Sequence, residues 1–453
     1  MRSSFVALPL HFLWVVLLSS AFYSHHASAS TTTPLPTDEH GDYNGLDLIE
    51  WIRSHPDGII HPSVRIGRER PGDPTSINGL FVSSAPDAKP IEKGDIIAQI
   101  PWSHMIHPGD KYSPSRFKSC RAIYKLAQEL ELGDKSSRAP YVRYLLSLPR
   151  GTMPGEWTEA GAAFLAEELL DDDELPPYEV MWRNTYDKSW VESCEGSMYD
   201  EMQQAAYWLT TSRDEDTLMV PIYDMANHSN DPKKLNTLSE KSKGPGRPFL
   251  FEASRKIMPG EQIYNSYNRC NSCSPKENFR ECETFSHYYT PHLFASFGFV
   301  EDYPQSWHLG PRDGDDDSRD AYDDESGFEF CLSRDDETGE LDAYWDEDEM
   351  PDERDAAWLK TQLKRLKKLE GKKEGLEKEL VRVDEGGDDR EKKMTRWEWE
   401  SIWRYHQSLS FAIDAAIRTY EAGDVSSEDG PGRASYGMDD GSSEDESEDH
   451  DEL

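Results

Sequence analysis

Apolar residues recur at helical spacing through Leu46, Leu48, Ile49, Trp51 and Ile52, and the run stops near Pro56-Asp57-Gly58. This predicts a short amphipathic helix closed by turn residues. Three short runs follow, Val64-Arg65-Ile66, Gly79-Leu80-Phe81-Val82 and Ile96-Ile97-Ala98-Gln99-Ile100, set apart by glycine and proline, and they predict a small, turn-rich sheet. From about residue 115 to 210 the period becomes helical, with Ile123, Leu126 and Leu130, then Tyr141, Tyr144, Leu145 and Leu148 before Pro149. Further helices are expected over 160–170 and 198–209. Strand character returns at 218–222, at Phe249-Leu250-Phe251 and at Ile263-Tyr264, with a flexible loop expected between 233 and 246. A helical block inserted between two sheet-forming halves predicts one discontinuous α+β domain.

Past this domain the pattern weakens. The stretch 302–354 is acidic, nearly continuously so at 313–317, and reads as a solvated linker. Helical spacing resumes through Trp358, Leu359, Leu363, Leu366 and Leu369, and again through Ile402, His406, Leu409, Ile413, Ala416, Ile417 and Tyr420. Thr395 and Glu398 stand at the spacing of a capping box for the second of these helices. From residue 426 the chain is acidic and of low complexity, which predicts disorder.

Composition changes the picture in two ways. The formal net charge of −39 over 453 residues argues against a nucleic-acid or anionic-membrane partner and favours basic proteins or cations. The two ends read as an address: Arg2, an apolar run from Phe5 to Leu18 and Ala27-Ser28-Ala29 have the form of a cleaved secretory signal. Its competitor is an uncleaved anchor reaching Phe22, which Pro9, His11, Ser19 and Ser20 make the poorer span. The chain closes on His450-Asp451-Glu452-Leu453, the form of an endoplasmic-reticulum retention signal. Together these predict residence in the reticulum lumen, no stable membrane insertion after cleavage, and a retention receptor as partner. Disulfides are permitted there, and the six cysteines, Cys120, Cys194, Cys270, Cys273, Cys282 and Cys331, allow about 15 pairings that spacing alone does not separate.

Two polar clusters stand out as candidate chemistry. Asp224, Asn227, His228 and Ser229 crowd behind the apolar run 218–222, which is read as a buried strand passing through Pro221. The same residue types also end strands and build turns. After the turn at Pro259-Gly260, alternation sets Ile263, Asn265 and Tyr267 on one strand face. A lone tyrosine there is more often a buried core residue with a satisfied hydroxyl.

Taken in order, Gly79-Leu80-Phe81, the Ser-Leu-Pro that closes 141–149, Ser212-Arg213, 221–229 and 260–267 resemble the successive motifs of SET-domain methyltransferases, and most closely the Rubisco large-subunit methyltransferase group. The resemblance implies a SET fold of small sheets with a knot-like core, interrupted by a helical insert and followed by a helical domain. The boundaries expected for the whole chain are a signal peptide at 1–29, a disordered leader at 30–42, the SET domain at 43–303 with the insert at about 115–210, the acidic linker at 304–354, the helical domain at 355–422 and the disordered acidic tail at 423–453. The resemblance further implies S-adenosyl-L-methionine as cofactor, held by Gly79, Leu80, Phe81, Ser212, Arg213, Asp224, Asn227 and His228, with Tyr267 both contacting it and acting as the catalytic tyrosine. The reaction implied is methyl transfer to a lysine of a protein substrate, or to a histidine; a catalytically silent fold that holds basic clients or calcium is the alternative.

No metal is expected, since Cys270, Cys273 and Cys282 fall one ligand short of a zinc set. A disulfide beside the active site is the expectation for them, with the odd cysteine pairing with Cys331. Phe297 stands where relatives often carry a second tyrosine. Asp214-Glu215-Asp216 gives the substrate side an acidic character suited to a basic segment. Asn227-His228-Ser229 is also a glycosylation sequon.

Overall fold

The computed structural model describes residues 34–73, 76–109, 118–172, 174–183, 186–215, 217–240, 246–267, 288–310, 327–335, 337–345, 351–381 and 393–422. The first half begins with α1 (Leu46–Arg53), which turns Leu48, Ile49 and Ile52 inward, followed by β1 (Ile59–Ile60), β2 (Val64–Arg68), β3 (Asn78–Val82) and β4 (Ile96–Ile100). The insert supplies α2 (Lys118–Leu132), α3 (Ala139–Ser147), α4 (Glu159–Ala163), α5 (Glu179–Trp182) and α6 (Glu201–Arg213). Helix α4 runs directly into a π-helical segment, Phe164–Leu169, and a second, Tyr186–Glu192, precedes α6.

The chain then returns to strands: β5 (Asp214–Glu215), β6 (Leu218–Met219), β7 (Asn227–His228), β8 (Thr237–Glu240), β9 (Phe249–Ala253) and β10 (Gln262–Asn265). Two four-stranded sheets result, ordered β1-β4-β9-β8 and β2-β3-β10-β7. Each mixes strands from before and after the insert, so the domain is discontinuous as the hydrophobic pattern predicts. The only parallel pairing in these two sheets lies between β7 and β10, with Tyr264 opposite Asn227 and Asn265 opposite His228.

Beyond these come α7 (Thr290–Phe297), β11 (Gln305–Leu309), β12 (Phe328–Arg334), β13 (Leu341–Tyr344), α8 (Glu353–Glu370), α9 (Lys373–Leu380) and α10 (Arg396–Ala422). Apolar side chains gather in two cores. One packs both sheets with α1, α2, α3 and α6. The other joins α7, α8, α10 and β11–β13 to insert residues such as Trp157, Phe164, Leu165 and Trp182. The insert is therefore shared between the cores.

Four expectations are corrected. The acidic stretch 304–354 is not simply a linker: β11, β12 and β13 form an antiparallel sheet within it. Trp307, Leu309, Phe328, Phe330, Leu332 and Ala343 are buried there at period two, a pattern that the surrounding charge hides. The expected loop at 233–246 contains β8, paired with β9 along Thr237 to Glu240; residues 241–245 lie outside the described residues. The strand expected over 218–222 ends at Met219, because Pro221 offers no N–H to a ladder and Ile222 turns the chain at φ 72°. The leader 30–42, expected to be unfolded, is tied to the domain over its described part: Thr37 bridges Tyr43, and buried Asp42 accepts Gly72 N–H at 2.7 Å. The signal, residues 30–33, the acid run at 313–317 and the tail lie outside the described residues.

The capping box at the start of α10 forms as expected. Glu398 N–H donates to Thr395 Oγ1 at 3.1 Å, and Thr395 N–H donates to Glu398 Oε2 at 2.7 Å. The same buried carboxylate accepts from Thr158 N–H at 2.7 Å and from Thr158 Oγ1 at 2.9 Å, across 240 positions. Thr158 in turn caps α4 by accepting from Gly161 N–H. One carboxylate thus ties the starts of two helices together. Glu398→Ala leaves three half-buried donors without their acceptor, and we expect it to lower unfolding free energy by about 3 kcal/mol, read as a fall in the urea midpoint, with Glu398→Gln showing part of the loss.

Candidate functional site

On β3, Gly79 and Phe81 point to one face of the sheet and Leu80 to the core, and the register opposes Phe81 to both Arg65 and Gln262. Asn227, opposite Tyr264, joins the same face. A Cβ added to Gly79 would stand 2.8 Å from Asn227 Nδ2 and 2.7 Å from Gln262 Nε2. A side chain here would have to push both amide ends aside, whereas glycine keeps the bare backbone within their reach. An adjoining cavity of about 390 Å³ is lined by Arg65, Phe81, Lys233, Lys234, Gln262 and Tyr264, among others.

His228, one residue on, faces the other way. Its Nδ1 accepts Tyr267 N–H at 2.9 Å, which places the ring proton on Nε2. Nε2 is buried without a hydrogen-bond partner among the described residues. Burial lowers the His228 pKa to about 3, against the opposing pull of Asp302, so the ring is neutral. Tyr267 itself follows β10 rather than lying within it. Its hydroxyl donates to Ala226 O at 3.1 Å, and burial pushes its pKa up to about 12, partly offset by Arg213. The phenol therefore keeps its proton at neutral pH.

Around Tyr267 stand Phe297 at 4.9 Å and Phe299 at 6.2 Å between ring centroids, with His228 at 5.0 Å. Gly298 makes this possible. It ends α7 in the left-handed region at φ 75°, where a Cβ would lie 1.9 Å from Thr152 O, and so brings the phenylalanines on either side of it to one ring.

Asp224 sits at the back of the site. Tyr141 Oη donates to its Oδ2 at 2.7 Å, Arg213 Nη1 donates to its main-chain O at 2.9 Å, and Oδ1 is buried without a partner among the described residues. Burial raises its pKa to about 6, with Arg213 and the Tyr141 hydroxyl pulling the other way. Arg213 is held above the ordinary guanidinium range: burial disfavours its charge, and Tyr144, Asp224 and Tyr267 more than compensate. The hydroxyls of Tyr141 and Tyr144 are kept protonated chiefly by burial.

The structure thus gathers Arg213, Asp224, His228 and Tyr267 around one buried polar centre, with Gly79 and Asn227 beside it across the sheet. Leu80 lies in the core and Phe81 beneath the Arg65 guanidinium at 4.5 Å. Ser212 Oγ donates to Trp208 O within its own helix, so it contributes position rather than a free hydroxyl. Sequence reasoning missed Tyr141 and Tyr144 as polar partners, since at helical spacing they read as core. It also missed the hydrogen-bonded chain Asn265 Nδ2 to Tyr223 Oη, 2.7 Å, and Tyr223 Oη to Glu215 Oε2, 3.1 Å. Glu215 is thereby buried, and Asp214 Oδ2 accepts Thr217 N–H. Two of the three acids read as substrate-facing are engaged inside the fold, and Asp216 lies outside the described residues.

Residues 88–268 match the SET domain family. That segment holds every candidate residue except Gly79, Leu80 and Phe81, and the α+β arrangement expected from the motifs, with a helical C-terminal region, is the one found. No curated protein sequence matches the chain. Among solved structures, the crystal structure of the SET domain of LSMT bound to lysine and AdoHcy is similar at 13% identity and a TM-score of 0.47, over 83% of this chain and 91% of that one.

Cys120 and Cys194 form a disulfide, a pairing that spacing left open, and Cys331 is disulfide-bonded as well. Cys270, Cys273 and Cys282 lie outside the described residues. Among the described residues no group of three or more His, Cys, Asp or Glu side chains is placed to hold a metal ion.

A neutral His228 makes stability depend on acid. Its folded pKa near 3 lies below the unfolded value near 6.5, so below pH 6.5 the unfolded chain binds a proton that the folded chain refuses, and stability falls until about pH 3. His228→Asn keeps an acceptor for Tyr267 N–H but does not titrate. Between pH 6 and 4 the stability of wild type should fall relative to that variant by roughly 1.4 kcal/mol per pH unit, followed by urea titration.

Proposed function

We propose that this chain is an S-adenosylmethionine-dependent protein N-methyltransferase, acting on a lysine side chain within the lumen of the endoplasmic reticulum. The observation that carries the proposal is the joint placement of Gly79, the Asn227–His228 strand and the half-buried, hydrogen-bonded Tyr267 hydroxyl, the last two in a segment matching the SET domain family. The cofactor fits the residues present: the gap at Gly79 admits a close main-chain contact beside the Asn227 amide. Asp224 Oδ1 and His228 Nε2 are an acceptor and a donor without partners among the described residues. Arg213 supplies a permanent cation for a carboxylate.

S-adenosylmethionine, when bound, supplies a methyl group on a positive sulfonium. The chain must then align a neutral amine about 3 Å from that carbon. Phe297 and Phe299 give Tyr267 an apolar surround, and desolvation favours the neutral form of a lysine whose ordinary pKa is about 10.4. Tyr267, protonated, orients the amine by hydrogen bonding and removes no proton. The hydroxyl that relatives often carry at the position of Phe297 is missing from this chain, so one fewer group holds the amine.

The lumenal address rests on the two chain ends, and a lumenal enzyme must keep its sequon unmodified. Asn227 is paired in β7, and Ser229, which completes the sequon, is buried with its N–H on Asn265 O. Peptide mapping of protein secreted into the reticulum should find Asn227 without glycan. A glycan there in folded protein would overturn the catalytic reading.

Calorimetric titration tests the whole proposal. Wild type should bind S-adenosylmethionine, Asn227→Ala should weaken it at least about ten-fold, and Tyr267→Phe should keep binding while losing about 100-fold or more in methyl transfer to a lysine peptide. Folded wild type that takes up no cofactor would leave the silent binding fold as the reading.

A further inference from the structure

On α8, Lys360, Lys364, Lys367 and Lys368 recur at i, i+4, i+7 and i+8 and are all exposed, and exposed Lys372 continues their line past the helix end. Side chains at that spacing form one stripe. The opposite face buries Ala356, Leu359, Leu366 and Leu369, and Arg365 fixes the helix by donating to Glu168 O and Leu169 O. The stripe is thus the outer side of an anchored helix. Two of its lysines are bridged to α10, Lys360 to Glu421 at 2.7 Å and Lys367 to Asp414 at 3.3 Å. Lys364, Lys368 and Lys372 have no ion-pair partner among the described residues. A run of cations left unneutralised is unusual on a chain of net charge −39.

Helix α10 runs antiparallel to α8, and its last turn, at Glu421, meets the first lysine of the stripe. The chain that follows, residues 423–453, carries twelve Asp and Glu side chains and Arg433 as its one Lys or Arg. We propose that this acidic segment docks along the lysine stripe of α8, so that the occupant of the surface is the chain's own C-terminal segment. The reach is sufficient. From Lys360 to Lys372 the stripe spans about 18 Å at 1.5 Å per residue, and a flexible segment of about ten residues already has a comparable mean span of about 17 Å. Tethering gives the segment an effective concentration of about 1 mM at the stripe. Several weak exposed pairs therefore act together where one alone contributes little. An acidic partner in solution must compete with that tethered segment.

Zero-length carbodiimide coupling of the full chain, mixed in equal parts with isotope-labelled chain, tests this. Tail carboxylates should couple to Lys364, Lys368 and Lys372 within one chain, and more so as salt is lowered from about 0.5 M to about 0.05 M. The double variant Lys364→Glu with Lys368→Glu should reduce the coupling to the stripe at least about five-fold at low salt, with an unchanged melting temperature showing that it folds. Coupling spread over distant exposed lysines such as Lys89 and Lys93, absent coupling, or coupling mainly between labelled and unlabelled chains would each overturn the proposal. None of these outcomes depends on cofactor binding.

Discussion

The hydrogen bond from Tyr267 N–H to His228 Nδ1 is the contact on which the centre depends. It locks Tyr267, two residues past the end of β10, to the strand β7 that β10 pairs with in parallel, and it requires a neutral imidazole. Burial enforces that neutrality, so the group that shapes the site is one that the fold has stripped of charge. Other contacts follow from it: the Tyr267 hydroxyl reaches Ala226 O, and the phenylalanines flanking Gly298 close around the ring. Behind it Asp224 and Arg213 hold each other through a main-chain bond, and Tyr141 restrains the carboxylate. The strained turn at Ile222, φ 72°, belongs to this arrangement. A positive φ at a β-branched residue costs about 1–3 kcal/mol, and here it sends the chain from β6 toward the buried centre in place of continuing a strand.

The second core gives this centre its support. Helix α7, which carries Phe297, is packed there through Phe294, stacked 4.3 Å from Tyr405 of α10. Glu398 links α10 to the N-cap of α4. The position of the aromatic wall beside Tyr267 thus depends on residues more than 100 positions away.

Much of this was legible in the sequence. The amphipathic runs of α1, α2, α3, α8 and α10 announced themselves by period, and the capping box at Thr395 and Glu398 by residue type. Asp224, His228 and Tyr267 stood out as polar groups set against apolar strands, and the order of the motifs pointed to the SET domain family that residues 88–268 match. What stayed hidden has physical reasons. The strands β11 to β13 carry their apolar residues at period two inside a strongly acidic background, so composition outweighed pattern. Glu215 reads as surface charge until Tyr223 and Asn265 are seen bonded around it. Tyr141 and Tyr144 sit at core spacing, and only the fold shows their hydroxyls turned to Asp224 and Arg213.

The disulfide between Cys120 and Cys194 joins two residues of the first core that are 74 positions apart. Between them the chain leaves that core, contributes Trp157, Phe164, Leu165 and Trp182 to the second, and comes back. The bond therefore makes a closed ring of the segment that bridges the two cores. If the second core were to open, its share of the insert would remain a tethered loop, with loop-closure entropy of ~4 kcal/mol already removed from the unfolded chain. Oxidation thereby acts as an assembly step for both halves, and a chain folded under reducing conditions would have to recover the partnership of its two cores without that ring.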